Sequence, residues 1–136
     1  MDRRIVKPER TQWRDLALSA RHRQWGWDCP AVDIDFLLIE YCYSEPAALI
    51  EYKKENAPEP MPDNQSYRAL TTLGNRAELP VFLVRYTPDF AKFTVVTLNQ
   101  KARDVLPLTT DMTERQYVDF LYSLRGLPLP ENLFNA

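Results

Sequence analysis

The 136-residue sequence predicts one α/β domain spanning residues 1–136, a mixed β-sheet flanked by helices in the order α-β-β-β-α-β-β-α. Three observations predict it. Apolar residues recur at helical spacing near the start, middle and end of the chain, short runs of strand character lie between them, and Pro, Asn and Asp mark the boundaries. At 45% hydrophobic and 26% charged, the composition is that of a globular domain with enough apolar content for one core, and a second domain does not fit.

Taken in order, TQWRDLALSARHRQ from Thr11 places Trp13, Leu16, Ala17 and Ala20 at i, i+3, i+4 and i+7, a helix with one buried stripe. QWGWD, residues 24–28, reads as a short strand that Cys29-Pro30 breaks. Residues 34–41 and 47–53 form a hairpin turning near Ser44-Glu45-Pro46. APEPMPD, residues 57–63, is a loop, after which Asp63 or Asn64 caps a second helix running to about Glu78, with Ala69, Leu70, Leu73 and Ala77 inward. LPVFLVRY is a near-continuous apolar run, expected to be covered on both faces, and KFTVVTL is a shorter, alternating strand. Thr113 opens the last helix through a capping box with Gln116, the helix buries Tyr117, Phe120, Leu121 and Leu124, and Gly126 ends it.

The charged, h-region-free start and the lack of any run near 18 apolar residues predict a cytoplasmic protein without a membrane span. Cys29 and Cys42 have no Cys-x-x-Cys spacing, which makes them buried free thiols rather than a zinc site or a disulfide framework. The net charge of −2 is unevenly spread. Arg3, Arg4, Lys7, Arg10, Arg14, Arg21 and Arg23 face only Asp2, Glu9 and Asp15 in residues 1–27, a basic segment suited to a phosphate backbone, or equally to a solvated helix face.

The hairpin carries the unusual residues. In DIDFLLIEYCYSEPAALIEYKKE, residues 33–55, Asp33 and Asp35 precede one apolar strand and Glu51-Tyr52-Lys53 ends the next. The period of two puts Glu51 and Lys53 on one strand face and Tyr52 on the other, so Asp35 shares a site with the first two across the hairpin. Glu-x-Lys alone carries little information, because nine Glu and five Lys in a chain of this length produce about a third of an occurrence by chance. Weight comes from its context: an apolar strand end, an acid opening the preceding strand, Pro30 upstream and helices on both sides.

PAVDIDFLLIEY followed by ALIEYK, in this element order over roughly residues 11–98, resembles the signature of the PD-(D/E)XK nuclease superfamily. The resemblance implies a restriction endonuclease-like core and hydrolysis of phosphodiester bonds, foremost in DNA. It implies Asp35 and Glu51 as ligands to Mg²⁺, with Mn²⁺ as a substitute, a metal contact from the backbone carbonyl of Tyr52, and Lys53 beside the attacking water. Asp33, on the same strand face as Asp35, competes for its role. Glu9 and Gln65 are accessory candidates, and Arg10, Arg14, Arg21 and Lys54 are candidates for nucleic-acid contact. Gln65 or Tyr67, at the start of the second helix, could face the site, with capping or solvent exposure the favoured reading for both.

Other features read blandly. His22 has no accompanying nucleophile motif, Trp25 and Trp27 are expected to pack under the first helix, and TTLGNRAELP lacks a phosphate-cradling glycine pattern. The small size and acidic total point to a homodimer or a helper protein rather than a monomer with long sequence-specific DNA contacts. Two other readings stay open: a non-catalytic nucleic-acid-binding or regulatory protein on the same fold, and an interaction subunit whose basic helix meets an acidic partner.

Overall fold

The computed structural model describes residues 16–26, 34–57 and 65–134. The chain divides into two compact units, Met1–Val32 and Asp33–Ala136. In the first, helix α1 spans Leu16–Gln24. Arg21, His22 and Arg23 fill its last turn, where cations complement the negative end of the helix dipole. The Trp25 amide closes onto the His22 carbonyl and Gly26, at φ 120°, takes a conformation open to glycine. Gln24 and Trp25, expected to open a strand, therefore belong to the helix end: the good helix-forming stretch before them carries on until the glycine. Trp27, Asp28 and Cys29 lie outside the described residues, as do Thr11 to Asp15.

The second unit holds a five-stranded mixed sheet in the order β1-β2-β3-β4-β5. The strands are β1 (Phe36–Glu40), β2 (Glu45–Lys54), β3 (Val81–Tyr86), β4 (Phe93–Thr97) and β5 (Thr110–Met112). The helices are α2 (Gln65–Ala77), α3 (Gln100–Val105) and α4 (Glu114–Leu124). Only the β2–β3 pair is parallel, because α2 carries the chain back between them; the other neighbours are antiparallel. The β1–β2 turn falls at residues 41–44, slightly ahead of the expected Ser44–Pro46. There the Glu40 carboxylate accepts from the Cys42 and Tyr43 amides at 3.1 and 2.9 Å, while Ser44 takes φ 55°. Cys42 is exposed, not buried, because this turn projects from the sheet.

Strand alternation divides the core. Ala48 and Ile50 of β2, Phe82 and Val84 of β3, and Phe93 and Val95 of β4 face α4, which covers them with Tyr117, Phe120, Leu121 and Leu124. Leu49 and Val81, one residue out of phase, face α2 and pack on Leu70. Strand β3 is thus buried on both faces, as its unbroken apolar run predicts. The capping box at Thr113 and Gln116 is present in both directions.

Two elements have no counterpart in the pattern read from the sequence. α3 and β5 are six and three residues long, too short for periodicity to register. Asn99 holds α3 in place: its Oδ1 accepts from the Ala102 and Val81 amides, both at 3.0 Å, and its Nδ2 donates to the Leu79 carbonyl at 2.8 Å and to Asn75 Oδ1 at 3.2 Å. The inward stripe of α2 also differs. Leu70 is buried, but Ala69 and Ala77 are exposed and Leu73 is 43% exposed. Buried Gly74 replaces them at the contact: a Cβ there would lie 2.2 Å from Val81 Cγ2, so β3 approaches the helix more closely than any side chain allows. Two smaller side chains at 69 and 77 cannot outweigh that close approach.

Candidate active site

Glu51 and Lys53 occupy the α2-facing side of β2 near its C-terminal end, in line with Leu49. The same end of the sheet receives the C-terminus of β3 and the start of α2, since a parallel crossover brings the chain from the end of one strand to the beginning of the next. Asp35 immediately precedes β1, whose Phe36 pairs with Ile50, and so lies level with Glu51.

Asp35 Oδ2 accepts the Tyr52 amide at 3.1 Å, where the carboxylate takes over the ladder from β1. In an extended strand the N–H and C=O of one residue point to the same side, so the Tyr52 carbonyl is directed toward the Asp35 side of β2. The Tyr52 ring is on the opposite sheet face, bonded to the Tyr117 hydroxyl and edge-on to Phe36 at 4.9 Å. Only the backbone of Tyr52 therefore belongs to the site.

Glu51 is 9% exposed. Its Oε1 lies 3.9 Å from Lys53 Nζ, and its Oε2 is buried with no hydrogen-bond partner among the described residues. Burial first, and the Asp35 charge second, push the Glu51 carboxyl up to about 7, against the partial opposition of Lys53. A buried carboxyl oxygen without a donor, beside a second carboxylate, is satisfied by a proton, which the raised Glu51 titration favours, or by a bound cation. Hard oxygen donors suit a divalent cation such as Mg²⁺, and Asp35, Glu51 and the residue-52 carbonyl are the groups here that could take one. Among the described residues no group of three or more His, Cys, Asp or Glu side chains comes together, so Asp35 and Glu51 stand as a pair.

Two more residues join this cluster. Tyr67, in the first turn of α2, has its hydroxyl buried, and its ionisation is pushed up by burial and by the Glu51 and Asp35 charges while Arg85 draws it down. It faces the carboxylates, the less favoured of the two readings its sequence position allows, because the helix turn that buries Leu70 carries residue 67 to the same side. Arg85 pairs in register with Lys53, on the same sheet face, and its Nη1 donates to the Ala57 carbonyl at 3.1 Å. The sequence contains a signal for it: Val81, Leu83 and Arg85 share a face by parity, and a cation ending an apolar strand opposite Lys53 falls at the same edge.

Of the remaining candidates, three fall within the described residues. Lys54 is exposed on the other face of β2, in register with Tyr86. Gln65 is the first residue of α2. Arg21 is exposed on α1, in the first unit. Glu9, Arg10, Arg14 and Asp33 lie outside the described residues. No helix among the described residues is long and apolar enough to cross a membrane. No known family, curated protein or solved structure matches this chain.

Proposed function

We propose that this chain is a divalent-metal-dependent nuclease of the PD-(D/E)XK type, with a restriction endonuclease-like core, that hydrolyses phosphodiester bonds in DNA. The observation that carries the proposal is the juxtaposition of Asp35 and a buried Glu51 whose Oε2 has no donor, with Lys53 Nζ 3.9 Å from the other oxygen of the same carboxylate. Bound Mg²⁺ or Mn²⁺ would supply Lewis-acid stabilisation of the phosphate and a more acidic water. Glu51 and Asp35 provide the anionic pocket, and Asp35 is oriented by the Tyr52 amide. Lys53, 40% exposed at its side chain, reaches toward solvent from the same face, where its ammonium offsets charge developing on a phosphate and orients water for in-line attack. Tyr67 and Arg85 border the pocket on the α2 side.

The test is incubation of the purified chain with labelled duplex, single-stranded and branched DNA, with Mg²⁺, with Mn²⁺ and with chelator. Metal-dependent cleavage lost in Lys53→Ala supports the proposal; no cleavage of any substrate with either metal defeats it. A second reading, a non-catalytic nucleic-acid-binding protein on the same scaffold, is favoured by one observation. Among the described residues the acidic side chains of the cluster number two, and one oxygen of Asp35 is already committed to the backbone. Salt-sensitive DNA binding without cleavage identifies that case.

A further inference from the structure

We infer that the β3–β4 loop presents Phe90 as a stacking platform for an unpaired nucleobase, so that the substrate is single-stranded where it crosses this end of the sheet. The inference takes its ligand class from the nuclease reading and its location from the loop itself.

Phe90 stands in the left-handed region at φ 60°, a conformation that glycine or asparagine adopts freely and that is an outlier for a bulky side chain. The loop is built to hold it there. The Phe90 amide donates to the Thr87 carbonyl at 2.9 Å, the Ala91 amide to Asp89 Oδ1 at 3.1 Å, and the Thr87 and Lys92 main chains close the base at 3.1 Å. The Lys92 amide adds a bond to Thr87 Oγ1 at 3.0 Å. A strained residue held by its surroundings invites a search for what its side chain does.

The ring stacks on Tyr86, 5.7 Å away at 12°, and on Phe93, 6.4 Å away at 22°. Packing alone would bury it, yet Phe90 remains 51% exposed while Phe93 beneath it is buried. The result is a fixed aromatic surface, backed by two further rings and open on the outside. Every nucleobase has a flat face to lay on such a surface, whereas a paired base in a duplex has its faces occupied by its neighbours.

The platform and the carboxylates share one end of the sheet but lie on its opposite faces, Tyr86 and Phe93 toward α4 and Glu51 and Lys53 toward α2, so a strand that meets both passes over the sheet end. Lys92 Nζ meets Glu55 Oε1 at 3.4 Å, and the Glu55 amide donates to the Tyr86 carbonyl at 2.8 Å, which fixes the loop against the end of β2. Exposed Lys54 adjoins Glu55 in register with Tyr86, available to a phosphate. Of the acids nearby, Glu55 is paired with Lys92, whereas Asp89 accepts the Ala91 amide and stays anionic, held low by its bonds to Thr87 and Ala91.

The experiment measures binding of a labelled oligothymidylate and of a matched duplex by fluorescence anisotropy in chelator, for wild type, Phe90→Ala, Phe90→Leu and Phe90→Trp. Phe90→Ala and Phe90→Leu should each weaken single-strand binding by about 5- to 150-fold and change duplex binding less than about twofold, while Phe90→Trp binds like wild type. Leucine keeps an apolar contact with Tyr86 and Phe93, so a loss in that variant at unchanged melting temperature reports stacking and not folding. Equal losses on both DNA forms, wild-type affinity in Phe90→Leu, or no single-strand binding by wild type overturns the inference. Because the assay omits metal, the two readings fail separately. Phe90-dependent binding without cleavage sinks the nuclease and leaves the platform, and metal-dependent cleavage with Phe90-independent binding does the reverse.

Discussion

Replacing Glu51 with glutamine should stabilise the metal-free protein, by an amount that depends on pH. The folded carboxyl titrates at about 7 because it is buried beside Asp35, against an ordinary value of 4.5. As pH rises from 4.5, the unfolded chain releases this proton and the folded protein retains it, so stability falls through the interval and levels off above 7. The interval is worth about 1.4 kcal/mol per pH unit, so the metal-free fold is penalised by about 3 kcal/mol at pH 8 relative to pH 4 through this one group. The glutamine of the variant does not titrate and is free of the penalty. Urea unfolding in chelator should therefore give equal stabilities for wild type and Glu51→Gln near pH 4, and a variant more stable by about 3 kcal/mol at pH 8. Added Mg²⁺ at about a hundred times its dissociation constant should return about 2.7 kcal/mol to the wild type and little to the variant. A variant no more stable than wild type at pH 8 in chelator would refute the claim that Glu51 is an electrostatically frustrated cation ligand.

Lys53→Ala should lower the cleavage rate on the order of 100-fold, about 3 kcal/mol of transition-state stabilisation, and leave DNA affinity measured in chelator nearly unchanged; equal single-turnover rates would rule out its role. Gly74→Ala should destabilise by about 1–3 kcal/mol despite alanine's better helix propensity, since its Cβ meets Val81 Cγ2 at 2.2 Å, and the loss should be smaller when Val81→Ala is also present, as read from a double-mutant cycle in urea. Asn99→Ala should cost about 2–4 kcal/mol, because the Val81 and Ala102 amides and the Leu79 carbonyl all lose their partner, and a stability change below about 0.5 kcal/mol would show that water replaces the side chain.

Legibility in the sequence follows the length over which each signal repeats. The β1–β2 hairpin, α2, β3, β4 and α4 each repeat an apolar period several times, and their existence and type can be read directly, as can the Thr113 box, whose two partners are three residues apart. α3 and β5 complete at most two periods, and what fixes α3 is a single buried Asn99 reaching across to Leu79 and Val81, a contact no local pattern announces. The orientation of α2 is hidden for a related reason. Alanine and leucine at 69, 73 and 77 outline an apolar stripe, but the deepest point of the contact is set by the absence of a side chain at Gly74, to which hydrophobicity is blind.

The candidate site divides along the same line. Parity along β2 separates Glu51 and Lys53 from Tyr52 without reference to any other strand, and the β1–β2 register then carries Asp35 alongside. Tyr67 and Arg85 arrive through the β2–α2–β3 crossover, which is non-local: a parallel pairing 32 residues apart, Lys53 with Arg85, puts a second cation at the edge where the hairpin already holds two acids and a lysine. The crossover also explains why the cluster lies at this end of the sheet. Leu49 and Val81 occupy the same face toward the other end and must be covered by α2 to form a core, so the helix starts near the carboxylates, with Tyr67 beside Glu51, and packs Leu70 against the apolar pair further along. One strand face thereby serves as core at one end and as a polar pocket at the other, and the change between them takes place over the two residues from Leu49 to Glu51.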